Sequence, residues 1–446
     1  MSAKKILKRI VLIIVLVALT YAIYYCWVSF PIITGFCAKN AASSIFVAGR
    51  DEASVKREEL GYAPLSLAKI NVDYKDSSVS AALYGFAKRK AIYRKALGCT
   101  LINDLSEDEV RAEHFIISAP PNLNIDTLPW PSGDLVAGSF PSNLNKEKLQ
   151  EAVQSVFEET DTLHKKFTRA VIVVYDGKIV AEQYAPGYNM HSKQLGWSMT
   201  KSVTAALTGI LVKEGKLKTD MPAPVPEWKD VNDPRHKITI ENILQQSTGL
   251  DFEENYQKSS DATKMLFEKG NAAAYTASRP LKYEPGTVFY YSSGNTNILS
   301  RIIRQTVGDK MYHRFPYDSF FYKIGMYSAV MEADASGTFI GSSYMYATAR
   351  DWARFGLLYY YNGVWNGEQI LPADWVKLTF TPAKSSARKE YGYQFWLNGF
   401  DAQNGQRIYP GIPADMFFAD GYGGQRVYII PSKKIVIVRL GLNTFN

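Results

Sequence analysis

Ile10 to Phe30 is a run of 21 residues without a charge, dominated by Ile, Val and Leu, and it constrains this chain more than any other feature. As a helix it is long enough to cross a bilayer, because about 20 residues at 1.5 Å each cover the hydrocarbon core. The run closes in aromatics, Tyr21, Tyr24, Tyr25, Trp27 and Phe30, as a belt at the membrane–water interface does. Lys4, Lys5, Lys8 and Arg9 precede it and no acid occurs in residues 1–30. That charge pattern predicts an N-in, C-out signal anchor, with the bulk of the chain on the exported side (periplasmic or extracellular). A cleaved secretory signal is the competing reading, and Ala41-Ala42-Ser43 would serve as its cleavage site.

The same four cations explain much of the charge. The chain has 446 residues with 51 basic and 43 acidic, a formal net charge of +8; without the leading four the balance is 47 against 43. No basic stripe remains that would argue for nucleic acid. Of three cysteines, Cys26 lies in the span, which leaves Cys37 and Cys99 either to pair in an oxidising compartment or to stay as buried thiols. The oligomeric state is not legible.

After residue 37 the text divides. Residues 38–160 read as an extension and connector, in which Val79 to Leu97 has the look of a helix, with Ala and Leu among Lys and Arg. Proline-rich text from Ala119-Pro120-Pro121 to Pro141 follows, then an amphipathic helix at Lys146 to Phe157. Residues 161–446 form the main domain. Ala170 to Tyr175, the turn Asp176-Gly177, and Ile179 to Tyr184 predict one hairpin; Arg426 to Ile430, Pro431 to Lys434, and Ile435 to Leu440 predict another. Between them Thr239–Gln246, Thr348–Tyr361 and Pro372–Thr379 read as helices. The class is α+β: an antiparallel sheet closed by both ends of the domain and flanked by helices, with a mainly helical second lobe.

Ser198-Met199-Thr200-Lys201 opens a helical pattern in which Val203, Leu207, Ile210 and Leu211 share a face. Three residues apart, the serine and lysine lie on one side of the first turn. A buried lysine there can exist as the neutral amine and act as a base, while the helix N-terminus points N–H groups at developing negative charge. Taken alone, such a pair is common by chance. Two further strings follow in order: Tyr283-Glu-Pro-Gly-Thr-Val-Phe-Tyr290-Tyr291-Ser292-Ser293-Gly-Asn295, and Asp420-Gly421-Tyr422-Gly423-Gly424-Gln425.

With these, the chain resembles the serine β-lactamase/penicillin-recognising superfamily on its class C side. It is most similar to the 6-aminohexanoate-dimer hydrolases and related esterases. The resemblance spans about residues 165–443. It implies a β-lactamase/transpeptidase-like fold, an acylated nucleophile Ser198, its base Lys201, and Tyr291 as the proton shuttle. Ser293 would bond the lysine or the substrate. The backbone N–H groups of Ser198 and Tyr422 would form the oxyanion hole, and Asp420 and Gly421 would border the substrate. Where the β-lactamases carry Lys-Thr-Gly, this chain has Ala419-Asp420-Gly421, and an aspartate there would repel a substrate carboxylate. The implied substrate is a neutral or amine-bearing small amide or ester, with no cofactor and no metal. A phenol beside a cationic lysine is expected to have a lowered pKa. The five histidines form no zinc signature, and Ser198 lacks the flanking glycines of an α/β-hydrolase elbow. A D,D-carboxypeptidase or β-lactamase and a non-catalytic binding protein on the same fold are the alternatives.

Overall fold

The computed structural model describes residues 3–161, 164–401 and 403–443. Its first element, helix α1 (Ala3–Phe46), is 44 residues long and has two characters. Residues 3–25 are exposed throughout, and this part is apolar and long enough to cross a membrane. From Thr34 to Ile45 most side chains are buried, and Cys37, Ala38, Ala41 and Ala42 are at 0% exposure. The boundary expected at residue 37 therefore falls inside an unbroken helix. Ala41-Ala42-Ser43, readable as a cleavage site, are small residues that let α1 lie close to its neighbours.

Those neighbours are four antiparallel strands in sequential order: β1 (Ala68–Asp73), β2 (Ser78–Leu83), β3 (Phe86–Arg94) and β4 (Gly98–Ile102). The helix expected over Val79–Leu97 is thus a hairpin. Tyr84 and Gly85 take left-handed conformations (φ 50° and 83°) at its tip, which end any helix. Val79, Ala81 and Leu83 alternate inward, the first two against α1, and the alanines that suggested a helix are there to admit one. Lys39 and Ser43 of α1 reach Glu332, which is fully buried, and Lys39 also donates to the Cys99 carbonyl at 2.7 Å. Cys37 and Cys99 are free, buried thiols.

The expected helix α2 (Lys146–Phe157) is present, capped by Asn145. It covers the outer face of a six-stranded antiparallel sheet through Val153, Val171 and Val173. The sheet begins with β5 (Thr168–Tyr175) and β6 (Lys178–Tyr184). Strand β5 is buried on both faces, which is why it reads as an unbroken β-branched run. Helix α3 (Met199–Lys213), helix α4 (Ser293–Val307) and helix α5 (Ala349–Tyr360) fill the middle of the chain. The sheet is then completed by β7 (Trp396–Leu397), β8 (Phe417–Gly421), β9 (Gln425–Ile430) and β10 (Ile435–Gly441). Its order is β7-β8-β9-β10-β5-β6, so the last strand pairs with the first of the domain, Ile435 opposite Tyr175 and Val438 opposite Ile172. Both expected hairpins are in place, as is the α+β class. Helices α3 and α5 pack on the inner face, where a Cβ at Gly356 would come within 2.5 Å of Val436.

Candidate active site

Ser198 stands at the N-cap of α3, immediately after Trp197, a non-glycine residue in the left-handed region (φ 47°). Such a conformation persists only where packing over-determines it. Here the indole is stacked on Phe36 of α1 (centroids 6.2 Å, 14° between planes) and meets Tyr344 at 5.7 Å and Tyr422 at 5.6 Å. The hydrogen bonds Met199 N to Gly196 O and Thr200 Oγ1 to Trp197 O (2.7 Å) close the turn that lifts the serine out. Strand β8 presses on the same turn: a Cβ on Gly421 would lie 2.2 Å from the Gly196 carbonyl oxygen. Only glycine allows that approach, and it brings Tyr422 beside the turn that carries Ser198.

Lys201 is 1% exposed. Its Nζ donates to Ser198 Oγ (2.9 Å), Ser293 Oγ (3.0 Å) and the Ser342 carbonyl (2.9 Å). Burial pushes its pKa down from 10.5 to about 8, against the opposing pull of the Glu254 and Asp420 carboxylates. The neutral amine keeps two donors and gains a lone pair, which is what accepting the serine proton requires.

The Tyr291 phenol is close enough to Ser198 to be influenced by its hydroxyl, and its ring lies 4.9 Å from Lys201 Nζ. It stands in an aromatic box with Trp396 (5.3 Å) and Tyr391 (5.9 Å). That box reverses one expectation. Burial is the largest influence on the phenol and holds its pKa well above 10, so Tyr291 is a neutral O–H donor. Tyr290, the neighbour open to confusion with it, instead accepts from Glu254 N at 3.1 Å.

Ser293 opens helix α4 and is fully buried. Its Oγ donates to Glu254 Oε1 (2.6 Å) and its N–H to Glu254 Oε2 (2.9 Å), while Tyr256 O–H lies 2.9 Å away. Glu254 and Tyr256 sit in the loop that follows Gly249-Leu250 and went unrecognised from sequence. An acid and an aromatic two residues apart in loop text carry no periodic signal. Asp420 also differs from its reading as a repelling charge. It lies within β8, directly opposite Arg426 of β9, and the two form an ion pair. The turn itself is built by Gly423 and Gly424 (φ 73° and 79°).

A half-exposed serine at a helix start, a buried lysine bonded to it and a phenol beside them are the set of groups that a nucleophile with proton-handling partners would need. Residues 153–441 match the beta-lactamase family. The chain belongs to that family. Among curated proteins of the same ancestry, a 6-aminohexanoate-dimer hydrolase from Paenarthrobacter ureafaciens is 23% identical over 302 residues, 62% of this chain and 73% of its own. Two solved structures share the fold. EstCE1, a hydrolase with promiscuous acyltransferase activity, superposes with a TM-score of 0.55 at 16% identity, covering 66% of this chain and 94% of its own. A penicillin-binding protein homologue from Caulobacter crescentus gives 0.53 at 17% identity, over 69% and 93%. The N-terminal helix lies outside the matched residues, and its Phe36 stacks on the residue before the serine.

Proposed function

We propose that the protein is a membrane-anchored serine hydrolase that cleaves small amides or esters through an acyl-enzyme on Ser198. The single observation that carries this reading is Lys201: buried, 2.9 Å from Ser198 Oγ, and held near pKa 8. A solvated structural lysine would have no reason to be neutral; a base must be.

In the acylation step, neutral Lys201 takes the Ser198 proton as Oγ attacks the acyl carbon. The oxyanion is received by the backbone N–H groups of Ser198 and Tyr422, an interaction of the kind worth about 100- to 1,000-fold in rate per donor. The Tyr291 O–H, kept protonated by its aromatic box, gives its proton to the leaving amine or alcohol and is recharged from Lys201. Water then attacks the acyl-enzyme by the reverse relay. Asp420 is compensated by Arg426, so the substrate-side border is near neutral. It lacks the Lys-Thr pair that would hold a carboxylate. That favours a neutral or amine-bearing ester or amide over a penicillin or peptide terminus, and the amide bond is what the curated relative's name points to. The exposed apolar half of α1 would hold the domain at the exported face of the membrane.

Labelling of the purified full chain with a fluorophosphonate and with a fluorescent penicillin, beside Ser198→Ala, tests this. Fluorophosphonate labelling that vanishes in Ser198→Ala is expected. No labelling of the parent by either probe would leave a binding protein, and strong penicillin labelling would overturn the substrate preference.

A further inference from the structure

The tip of the β2–β3 hairpin carries an unexplained apolar display. Tyr84 is 68% exposed and Phe86 is 69% exposed, with Leu67, just before β1, at 51%. Leu67 belongs to the same rim, since the next residue, Ala68, pairs with Leu83. Tyr84 also occupies a left-handed position (φ 50°) before Gly85, a site where asparagine or aspartate fits with less strain. Turn chemistry does not account for a bulky aromatic there, and its contact with Phe30 leaves most of the ring exposed.

The location of the tip suggests what covers it. Strand β3 runs alongside α1, from Phe86 near the exposed half to Tyr93, which stacks on Phe46. Tyr84 meets Phe30 at 6.4 Å, and Thr34 Oγ1 donates to the Ala87 carbonyl at 2.6 Å. Phe30 is the last aromatic of the belt, and beyond Trp27 the helix is no longer exposed but partly covered. The tip therefore lies level with the end of the span, beside the belt in which Trp27 is 80% exposed. Cations flank the aromatics: Lys69 and Lys88 are exposed and Arg89 half-buried, and residues 77–102 contain no acid.

From this placement we infer that the Tyr84–Phe86 tip, with Leu67, is a second membrane contact, seated in the headgroup layer of the bilayer that α1 crosses. The proposal rests on the reading of α1 as an anchor. Aromatic rings of this kind favour the interface, and the flanking cations meet lipid phosphates. Two attachment points fix the tilt of the domain, which a single helix would leave free. Phe36, the stacking partner of Trp197, lies six residues beyond Phe30, about 9 Å along the helix, so the nucleophile is held close above the lipid surface.

The test uses the full chain with Cys26→Ser, in phosphatidylcholine–phosphatidylglycerol nanodiscs, with an NBD fluorophore on Phe86→Cys or, as a control, on Val231→Cys. Val231 is 76% exposed and belongs to neither α1 nor the sheet that packs on it. Blue-shifted emission at 86, quenched at least twofold by headgroup-level nitroxide lipids while 231 is unaffected, is the expected result. Water-like emission at 86 in a chain that resists alkaline carbonate extraction overturns the contact and spares the anchor. A blue shift that nitroxide lipids do not quench, and that grows with protein density, assigns the rim to a second copy and overturns it as well. Release of the chain by carbonate defeats the anchor reading itself.

Discussion

The neutral amine of Lys201 makes the pH dependence of acylation quantitative. With a pKa of about 8, about one lysine in ten is neutral at pH 7, against about one in 3,000 at the ordinary value, so burial supplies roughly 300-fold more base. The largest influence opposing burial is Glu254, one hydroxyl away: Lys201 Nζ to Ser293 Oγ is 3.0 Å and Ser293 Oγ to Glu254 is 2.6 Å. Charges roughly 6 Å apart at an effective dielectric of about 20 interact by about 3 kcal/mol, an upper bound near two pKa units. Glu254 is partly open to solvent, which reduces this to about one unit. Its carboxylate favours the cation, so Glu254→Gln lowers the lysine pKa. The rising limb of kcat/KM for a p-nitrophenyl ester, corrected with the Ser198→Ala rate, is expected near pH 8 in the parent and near pH 7 in Glu254→Gln. A purely structural role for Glu254 would lower the plateau without moving the limb. A limb that stays fixed, or moves to higher pH, refutes the assignment of Lys201 as the base or of Glu254 as the group that tunes it.

Two further perturbations test the scaffold. Gly421→Ala places a methyl 2.2 Å from the Gly196 carbonyl and should cut kcat by about 100-fold or more, the scale of one lost oxyanion donor, with an unchanged far-ultraviolet circular dichroism spectrum; near-parental turnover would show that the approach of β8 is not needed. Lys39→Met leaves the fully buried Glu332 without its cation and should destabilise by about 3–5 kcal/mol. Lys39→Met with Glu332→Gln should recover most of the lost melting temperature, and a double variant no more stable than the single would remove the ion pair from the account.

What was legible in the sequence and what was not share one physical cause. The central sheet could be read because Ala170–Tyr175 and Ile435–Leu440 are β-branched runs whose burial dictates their composition. The Ser198–Lys201 pair could be read because three residues of helix place both side chains on one face, and Tyr291 and Gly421 then followed in order. Each of these signals is local or directional. Small residues are neither. The alanines among the residues of Val79–Leu97 suit a helix, yet equally suit a sheet that must admit a helix against it, and α1 supplied that helix. Ala41-Ala42-Ser43 suits a peptidase, yet equally suits close packing beside Glu332. Charges were misjudged for a related reason. Asp420 looked like a lone repelling group because its partner is fixed by register across β8 and β9, and Glu254 looked like loop text because its partners Ser293 and Lys201 arrive from two other helices. A side chain's chemistry is written in its identity, but its charge state and its reach are set by what the fold brings to it. That is why the Ser198–Lys201 pair is legible in the sequence and Glu254, which reaches Lys201 through Ser293, is not.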